Sequence, residues 1–135
     1  MIQASLPAYA ELHCRSNFTF GVGASNPEEL VQRAHALGYS ALAMTDACSV
    51  SGVVRAHTEA GRLGLKLMPG AEFVVSFKDG VDQAASDVAD IAPAIQCNST
   101  PTDLSFTVVA LPHDLADWGD LCEFITQARR CAPKG

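Results

Sequence analysis

Two apolar stretches with a capped helix between them constrain the fold of this chain more than any other feature. Tyr9–Cys14 has the composition of a short strand, and Ala41–Met44 is a continuous apolar run of strand length. Between them, Asn26 can cap a helix, with Glu29 completing a capping box and Gly38 ending it. Continuous apolar runs are typical of strands buried on both faces of a parallel sheet. The order therefore predicts a β-α-β unit.

The rest of the chain continues this alternation. The pattern predicts a second helix from Ser49 or Ser51 to Gly64 and a third strand over Leu65–Met68. Pro69-Gly70 is predicted to interrupt this strand, and Ala71–Phe77 to continue it in extended form. A fourth strand is predicted over Ser105–Ala110, followed by a last helix capped by Asp114. The inner face predicted for the second helix consists of Val50, Val53, Val54, His57 and Ala60.

The segment Asp82–Asp103 interrupts this alternation. It is rich in Ala, Asp, Ser and Pro and contains no Lys or Arg, which indicates a loop inserted at about 78–104. The whole chain, residues 1–135, is predicted to be one α/β domain of about four βα units, with a parallel sheet and flanking helices. Four strands are too few to close a barrel, so one sheet edge stays unpaired.

Charge and composition exclude several classes of function. The 135 residues are 48% apolar and carry a net charge of −6, which disfavours autonomous binding to a nucleic-acid backbone. No apolar run is long enough to span a bilayer, and Met1–Ser5 lacks the features of a signal peptide. The five cysteines are scattered and form no CxxC pair, as expected of free thiols in a reducing cytoplasm.

Three polar residues stand where strands end or are interrupted, and strand ends are where α/β folds build their sites. His13 could be a metal ligand or a structural residue. Asp46 could bind metal, cap the following helix or fix a loop. Glu72 could be an inward functional carboxylate or an exposed strand residue.

Other polar or glycine-rich positions carry weaker signals. Asp114 is expected to cap the last helix, with His113 at the surface. Cys14 is expected to be a small buried residue, although a thiol can be a ligand or a nucleophile. The stretch Gly21–Gly23 precedes a helix but lacks the lysine of a P-loop, so it indicates a flexible turn.

Several stretches, in order, resemble the N-terminus of bacterial C-family DNA polymerases, the alpha-subunit type, and most of all the error-prone, damage-inducible branch. They are LHCRSNFTFGVGASNPEELVQRAHALGYSALAMTD, SGVVRAHTEAGRLGLKLMPGAEF and DWGDLCEFITQARRCAPKG. The resemblance is strong over Tyr9–Phe73, loose through Val74–Asp103 and clear again at Phe106–Gly135. It implies a polymerase-and-histidinol-phosphatase (PHP) domain, a distorted barrel of seven βα units, of which this chain holds about half. The implied processes are DNA replication and translesion repair.

The resemblance also implies a site in which His, Asp and Glu residues bind zinc or manganese for phosphoester hydrolysis. His13 matches the first His of a His-x-His motif, and Glu72 matches the Glu of Gly-x-Glu. Asp46 matches the Asp of Thr-Asp-His. Other family ligands come from the part of the barrel that this chain lacks. The positions where this chain departs from the family pattern are Arg15 and Ala47, each replacing a His, and Val22, near a common acidic ligand.

These substitutions predict a catalytically silent PHP segment without a metal cofactor. Arg15 cannot be a ligand, and its charge could neutralise Asp46 or Glu72 in place of a metal ion. The polymerase's catalytic carboxylates have no counterpart here, so this chain alone is not expected to synthesise DNA. The expected partner is the remainder of a polymerase polypeptide. The alternatives are a metal-dependent PHP phosphoesterase and a module that self-associates through its open sheet edge.

Overall fold

The structure, a computed structural model, describes residues 8–77 and 104–131. Its elements in chain order are β1 (Ala10–Cys14), α1 (Pro27–Ala36), β2 (Ala41–Ala47), α2 (Val53–Leu63), β3 (Lys66–Phe77), β4 (Leu104–Ala110) and α3 (Leu115–Cys131). The predicted insertion lies outside the described residues except for Leu104, which begins β4. None of the helices within the described ranges has the length and apolar character needed to cross a membrane.

Side-chain caps fix the start of two helices, as the sequence predicts. At α1 the backbone N–H of Asn26 donates to Glu29 Oε2 at 2.9 Å, and Pro27 occupies the first turn, where its missing N–H costs nothing. At α3 the carboxylate of Asp114 accepts the N–H groups of Ala116 and Asp117 at 2.8 and 3.0 Å. Both caps satisfy donors that the helix itself leaves unpaired.

The four strands of the described residues form one sheet in the order β1-β2-β3-β4, in a mixed α/β architecture. The β1/β2 and β2/β3 pairs are parallel, with α1 and α2 as crossover helices. The prediction of an all-parallel sheet is wrong for β4, which pairs antiparallel to β3. Phe77 pairs with Leu104, so the chain reverses direction between these two strands.

All three helices pack on one face of the sheet. In one core cluster, α1 and α2 cover Leu42 and Met44 of β2; in a second, α3 covers Ala71 and Phe73 of β3. Met44 pairs with Pro69, and side chains alternate along a strand, so these residues share a face. Within residues 8–77 and 104–131, no helix packs on the opposite face.

The inner face of α2 differs from the prediction. Val54 is 74% exposed and His57 is also exposed, whereas Ala56 and Ala60 are the buried residues. The helix begins at Val53, later than predicted, and it presents its smallest side chains to α1 and the sheet. Small residues allow α2 to approach α1 and the sheet closely. The hydrophobic pattern alone does not show which face of the helix carries them.

Candidate metal centre

Glu72 is the buried carboxylate on the face of the sheet opposite the helices. It pairs with Ala47 in register, next to the end of β2, and is only 5% exposed. Its Oε2 contacts Nε2 of His13, and its Oε1 lies 3.5 Å from Nη1 of Arg15. Glu72 therefore connects the end of β1 to β3 across β2.

The two partners of Glu72 are half-exposed. The side chains of His13 and Arg15 are 42% and 38% exposed, against 7% for the Glu72 side chain. The backbone N–H of His13 donates to Glu11 Oε1 at 3.0 Å, and the Tyr9 hydroxyl donates to Glu11 Oε2 at 2.8 Å. These two bonds, the backbone one first, lower the pKa of the Glu11 carboxyl. Glu11 is thus an anion that helps fix β1 near the site.

Ala47 lies at the position from which a further ligand could reach Glu72. The two residues are register partners on parallel strands, so their side chains point to the same face. The methyl group of Ala47 offers no donor atom. Ala47 therefore supplies no ligand atom beside Glu72.

Asp46 points to the opposite face, towards the helices. Its register partner is Ala71, one residue before Glu72, and side chains alternate along each strand. Asp46 is 1% exposed, and its Oδ1 accepts the N–H of Ser16 at 2.7 Å and the hydroxyl of Thr19 at 2.8 Å. Its Oδ2 accepts the Ser16 hydroxyl at 2.8 Å. The structure therefore brings together His13 and Glu72 and engages Asp46 elsewhere.

Ser16 and Thr19 are the residues that sequence reasoning missed. Both are buried in the turn after β1, at 0% and 6% exposure. The available signal was two hydroxyl residues within five positions of the end of β1, together with an aspartate next to the end of β2. The turn closes tightly, since a Cβ on Gly23 would lie 1.9 Å from the carbonyl oxygen of Ser16. Val22, at the tip of the turn, is 62% exposed.

The remaining polar candidates do not join this cluster. His113, Asp114 and Asp117 bring potential ligand atoms within 4.8 Å of one another, but all three are exposed and Asp114 caps α3. Cys14 is half-buried, and burial raises the pKa of its thiol, which disfavours the reactive thiolate.

A hydrolytic metal ion needs several protein ligands and an open position for water. Within residues 8–77 and 104–131, the face that carries Glu72 supplies the imidazole of His13 and one carboxylate. The third group on this carboxylate is the guanidinium of Arg15, a permanent cation that cannot ligate. The described residues around Glu72 therefore do not by themselves fit a hydrolytic metal centre.

Comparison with known proteins agrees with this architecture. The PHP domain family model matches residues 11–131, and the chain belongs to this family. Among curated relatives, the "Error-prone DNA polymerase" of Ralstonia nicotianae is 49% identical over 96% of this chain and 10% of that protein. The protein of the same name from Bordetella parapertussis is 47% identical over 99% of this chain and 11% of that protein. The chain thus spans about a tenth of the length of these relatives.

Solved structures share the fold. A proposed metal-dependent phosphoesterase from Bifidobacterium adolescentis superposes with a TM-score of 0.61 at 19% identity, covering 93% of this chain and 34% of that chain. An amidohydrolase from Chromobacterium violaceum, with bound sulfate and no metal, gives a TM-score of 0.54 at 24% identity, covering 86% and 33%. At these identities the likeness establishes the partial PHP barrel and no shared activity.

Proposed function

We propose that this chain is the N-terminal PHP segment of an error-prone DNA polymerase of the cytoplasm and that its role is structural. In this proposal the segment binds no catalytic metal, hydrolyses no phosphoester and synthesises no DNA by itself. Its partner is the remainder of a polymerase polypeptide. The similarity to error-prone polymerases over nearly the whole chain, at about a tenth of their length, supports this assignment.

The environment of Glu72 carries the proposal. One of its oxygens contacts His13, and the other faces Arg15 at 3.5 Å. A divalent cation bound here would lie close to the guanidinium, which stays charged at every accessible pH. Like charges at such short range repel strongly in a partly buried site. The ion pair with Arg15 thus neutralises the carboxylate that a metal ion would otherwise balance.

Calorimetric titration of the chelator-treated chain with Zn²⁺ and Mn²⁺ tests this proposal. The native chain is expected to show no stoichiometric binding. The double variant Arg15→His/Ala47→His restores two imidazoles beside Glu72, and gain of binding there would assign the loss of metal to these two positions. The matched control, Arg130→His/Ala36→His, adds the same groups at exposed positions on α3 and α1.

Stoichiometric, tight binding by the native chain would contradict the proposal. It would favour the metal-dependent phosphoesterase instead, which hydrolysis of a phosphodiester by the metal-loaded chain would then establish. If the native chain and both variants fail to bind, the silent role stands, and the missing ligands lie beyond residues 8–77 and 104–131.

A self-associating module is the second candidate function. Among the described residues β4 pairs with β3 alone, and Phe106 and Val108 on it are 47% and 38% exposed. An exposed, apolar edge strand is a template for pairing with another chain. Sedimentation of the native chain at increasing concentration distinguishes the two candidate functions. A self-associating module should form a defined dimer, whereas a purely structural segment is not expected to.

A further inference from the structure

The hydrogen bonds around Asp46 have a fixed direction. The Ser16 hydroxyl accepts the N–H of Phe18 at 3.2 Å, and the Thr19 hydroxyl accepts the N–H of Ala47 at 3.0 Å. Each hydroxyl has one hydrogen, and each donates it to Asp46. Both carboxylate oxygens of Asp46 are therefore acceptors in these bonds.

The space around this carboxylate is closed. A Cβ on Gly52 would lie 2.9 Å from Asp46 Oδ2, 3.0 Å from Cγ of Pro27 and 3.1 Å from the Ser16 hydroxyl. The start of α2 therefore lies directly against Oδ2 and leaves no room for an additional ligand on that side. Ser16 and Thr19 donate the three bonds that hold Asp46, although it occupies a position that the family resemblance assigns to a metal site.

The same bonds place Arg15. Two of the three bonds to Asp46 come from Ser16, through its backbone N–H and its hydroxyl. Ser16 directly follows Arg15, so anchoring Ser16 fixes the backbone from which the Arg15 side chain leaves β1. A long, half-exposed side chain loses rotamer freedom when it forms an ion pair, and a fixed backbone reduces the freedom that remains to be lost.

We propose that Asp46 is a positioning residue that, through Ser16, directs Arg15 towards Glu72. Asp46 acts from the helix-covered face of the sheet, and the ion pair forms on the opposite face. The inference rests on the proposed function in one respect, namely that Arg15 and not a metal ion balances Glu72.

A double-mutant cycle of Arg15→Gln and Glu72→Gln measures the strength of the ion pair. The coupling is the factor by which the effects of the two substitutions on the folding equilibrium constant of the full chain fail to multiply. The cycle is repeated in a Ser16→Ala background, which removes the hydroxyl bonded to Asp46. The control background is Ser40→Ala, which removes a serine hydroxyl bond of the same length, 2.8 Å, to the carbonyl of Tyr9 at the other end of β1.

We expect a coupling of about 1.5- to 5-fold in the native chain and in the Ser40→Ala background, in the range of partly exposed ion pairs. The coupling should fall with Ser16→Ala, which removes one of the two bonds between Ser16 and Asp46. Exchange of the Arg15 guanidinium protons with water should become faster in the same variant. Asp46→Asn should have the same effects; if it does not fold, Ser16→Ala still provides the test.

If the coupling between Arg15 and Glu72 is as large with Ser16→Ala as in the native chain, the inference is wrong. It is also wrong if the native chain shows no coupling between these two residues. A merely structural Asp46 would lower stability in Ser16→Ala but leave both the coupling and the proton exchange unchanged. Failure of the proposed silent function would appear in a different measurement, as metal binding by the native chain.

Discussion

Asp46 and Glu72 occupy adjacent register positions on β2 and β3, yet they have opposite surroundings. Asp46 faces the helices, is 1% exposed and accepts three hydrogen bonds from uncharged groups of one turn. Glu72 faces the other side and contacts two half-exposed basic side chains, His13 at the end of β1 and Arg15 just after it. The alternation of side chains along a strand separates the two roles. Asp46 therefore holds the turn together, whereas Glu72 contacts His13 and Arg15.

Replacing Asp46 should have the largest effect of any single change in this comparison. Asp46→Ala removes a buried acceptor of three hydrogen bonds and leaves the donors of Ser16 and Thr19 without partners. Each such loss costs about 1–3 kcal/mol, so we expect the free energy of unfolding to fall by roughly 3 kcal/mol or more. Urea denaturation measures it, with Asp120→Ala at an exposed position of α3 as the control. A loss below about 0.5 kcal/mol, the usual range for surface changes, would contradict the anchoring role.

Filling the space beside Asp46 should lower the stability of the fold less than removing Asp46 does. Gly52→Ala places a Cβ 2.9 Å from Asp46 Oδ2, and we expect a loss of about 1–3 kcal/mol from the shift that this contact forces. Gly61→Ala in the same helix is the matched control, because a Cβ there meets nothing within 4 Å. It should stabilise by about 0.5–1 kcal/mol through helix propensity. Equal effects of the two variants in a thermal melt would refute close packing at Oδ2.

Neutralising Glu72 should have a smaller effect than removing Asp46. Glu72→Gln keeps the shape of the side chain, and its half-exposed partners can turn to water, so we expect a loss of about 1 kcal/mol. Chemical denaturation measures it, with Glu123→Gln on the exposed face of α3 as the control. If Glu72→Gln lowered the free energy of unfolding more than Asp46→Ala, Asp46 would not be the more important of the two carboxylates for stability.

A third carboxylate, Glu59, should give the smallest effect. Arg62, and then Gln32 of α1, hydrogen-bond to it and lower its pKa to about 2. A carboxyl whose pKa is lowered by folding stabilises the fold above its unfolded pKa, about 4.5, and loses this contribution as the pH falls towards 2. The difference in stability between the native chain and Glu59→Gln should therefore narrow between pH 5 and pH 2. A Glu59 titration midpoint near 4.5 by NMR would contradict this.

Local sequence signals were sufficient for most of the elements. Asn26 and Asp114 begin helices because their surroundings in sequence supply the capping groups, and these caps need no tertiary contact. Hydrophobic periodicity was less informative for α2, where Val54 is exposed and Ala56 is buried. Periodicity shows which residues are apolar. Close packing then buries those that are small enough for the helix to approach its neighbours, such as Ala56.

The strand direction of β4 could not be predicted from the sequence. Its apolar run suits either direction, and an intervening segment without recognisable elements does not indicate whether the chain crosses over or reverses. The pairing of Phe77 with Leu104 decides the direction.

The sequence by itself determined the family, the order of the elements and the absence of ligand side chains at Arg15 and Ala47, because these follow from residue identity and local pattern. Only the tertiary structure decided that Asp46 and Glu72 face opposite sides of the sheet and that Ser16 and Thr19 surround Asp46. The roles of these residues depend on register and on contacts between residues 27 to 30 positions apart in the chain, and no local signal encodes those.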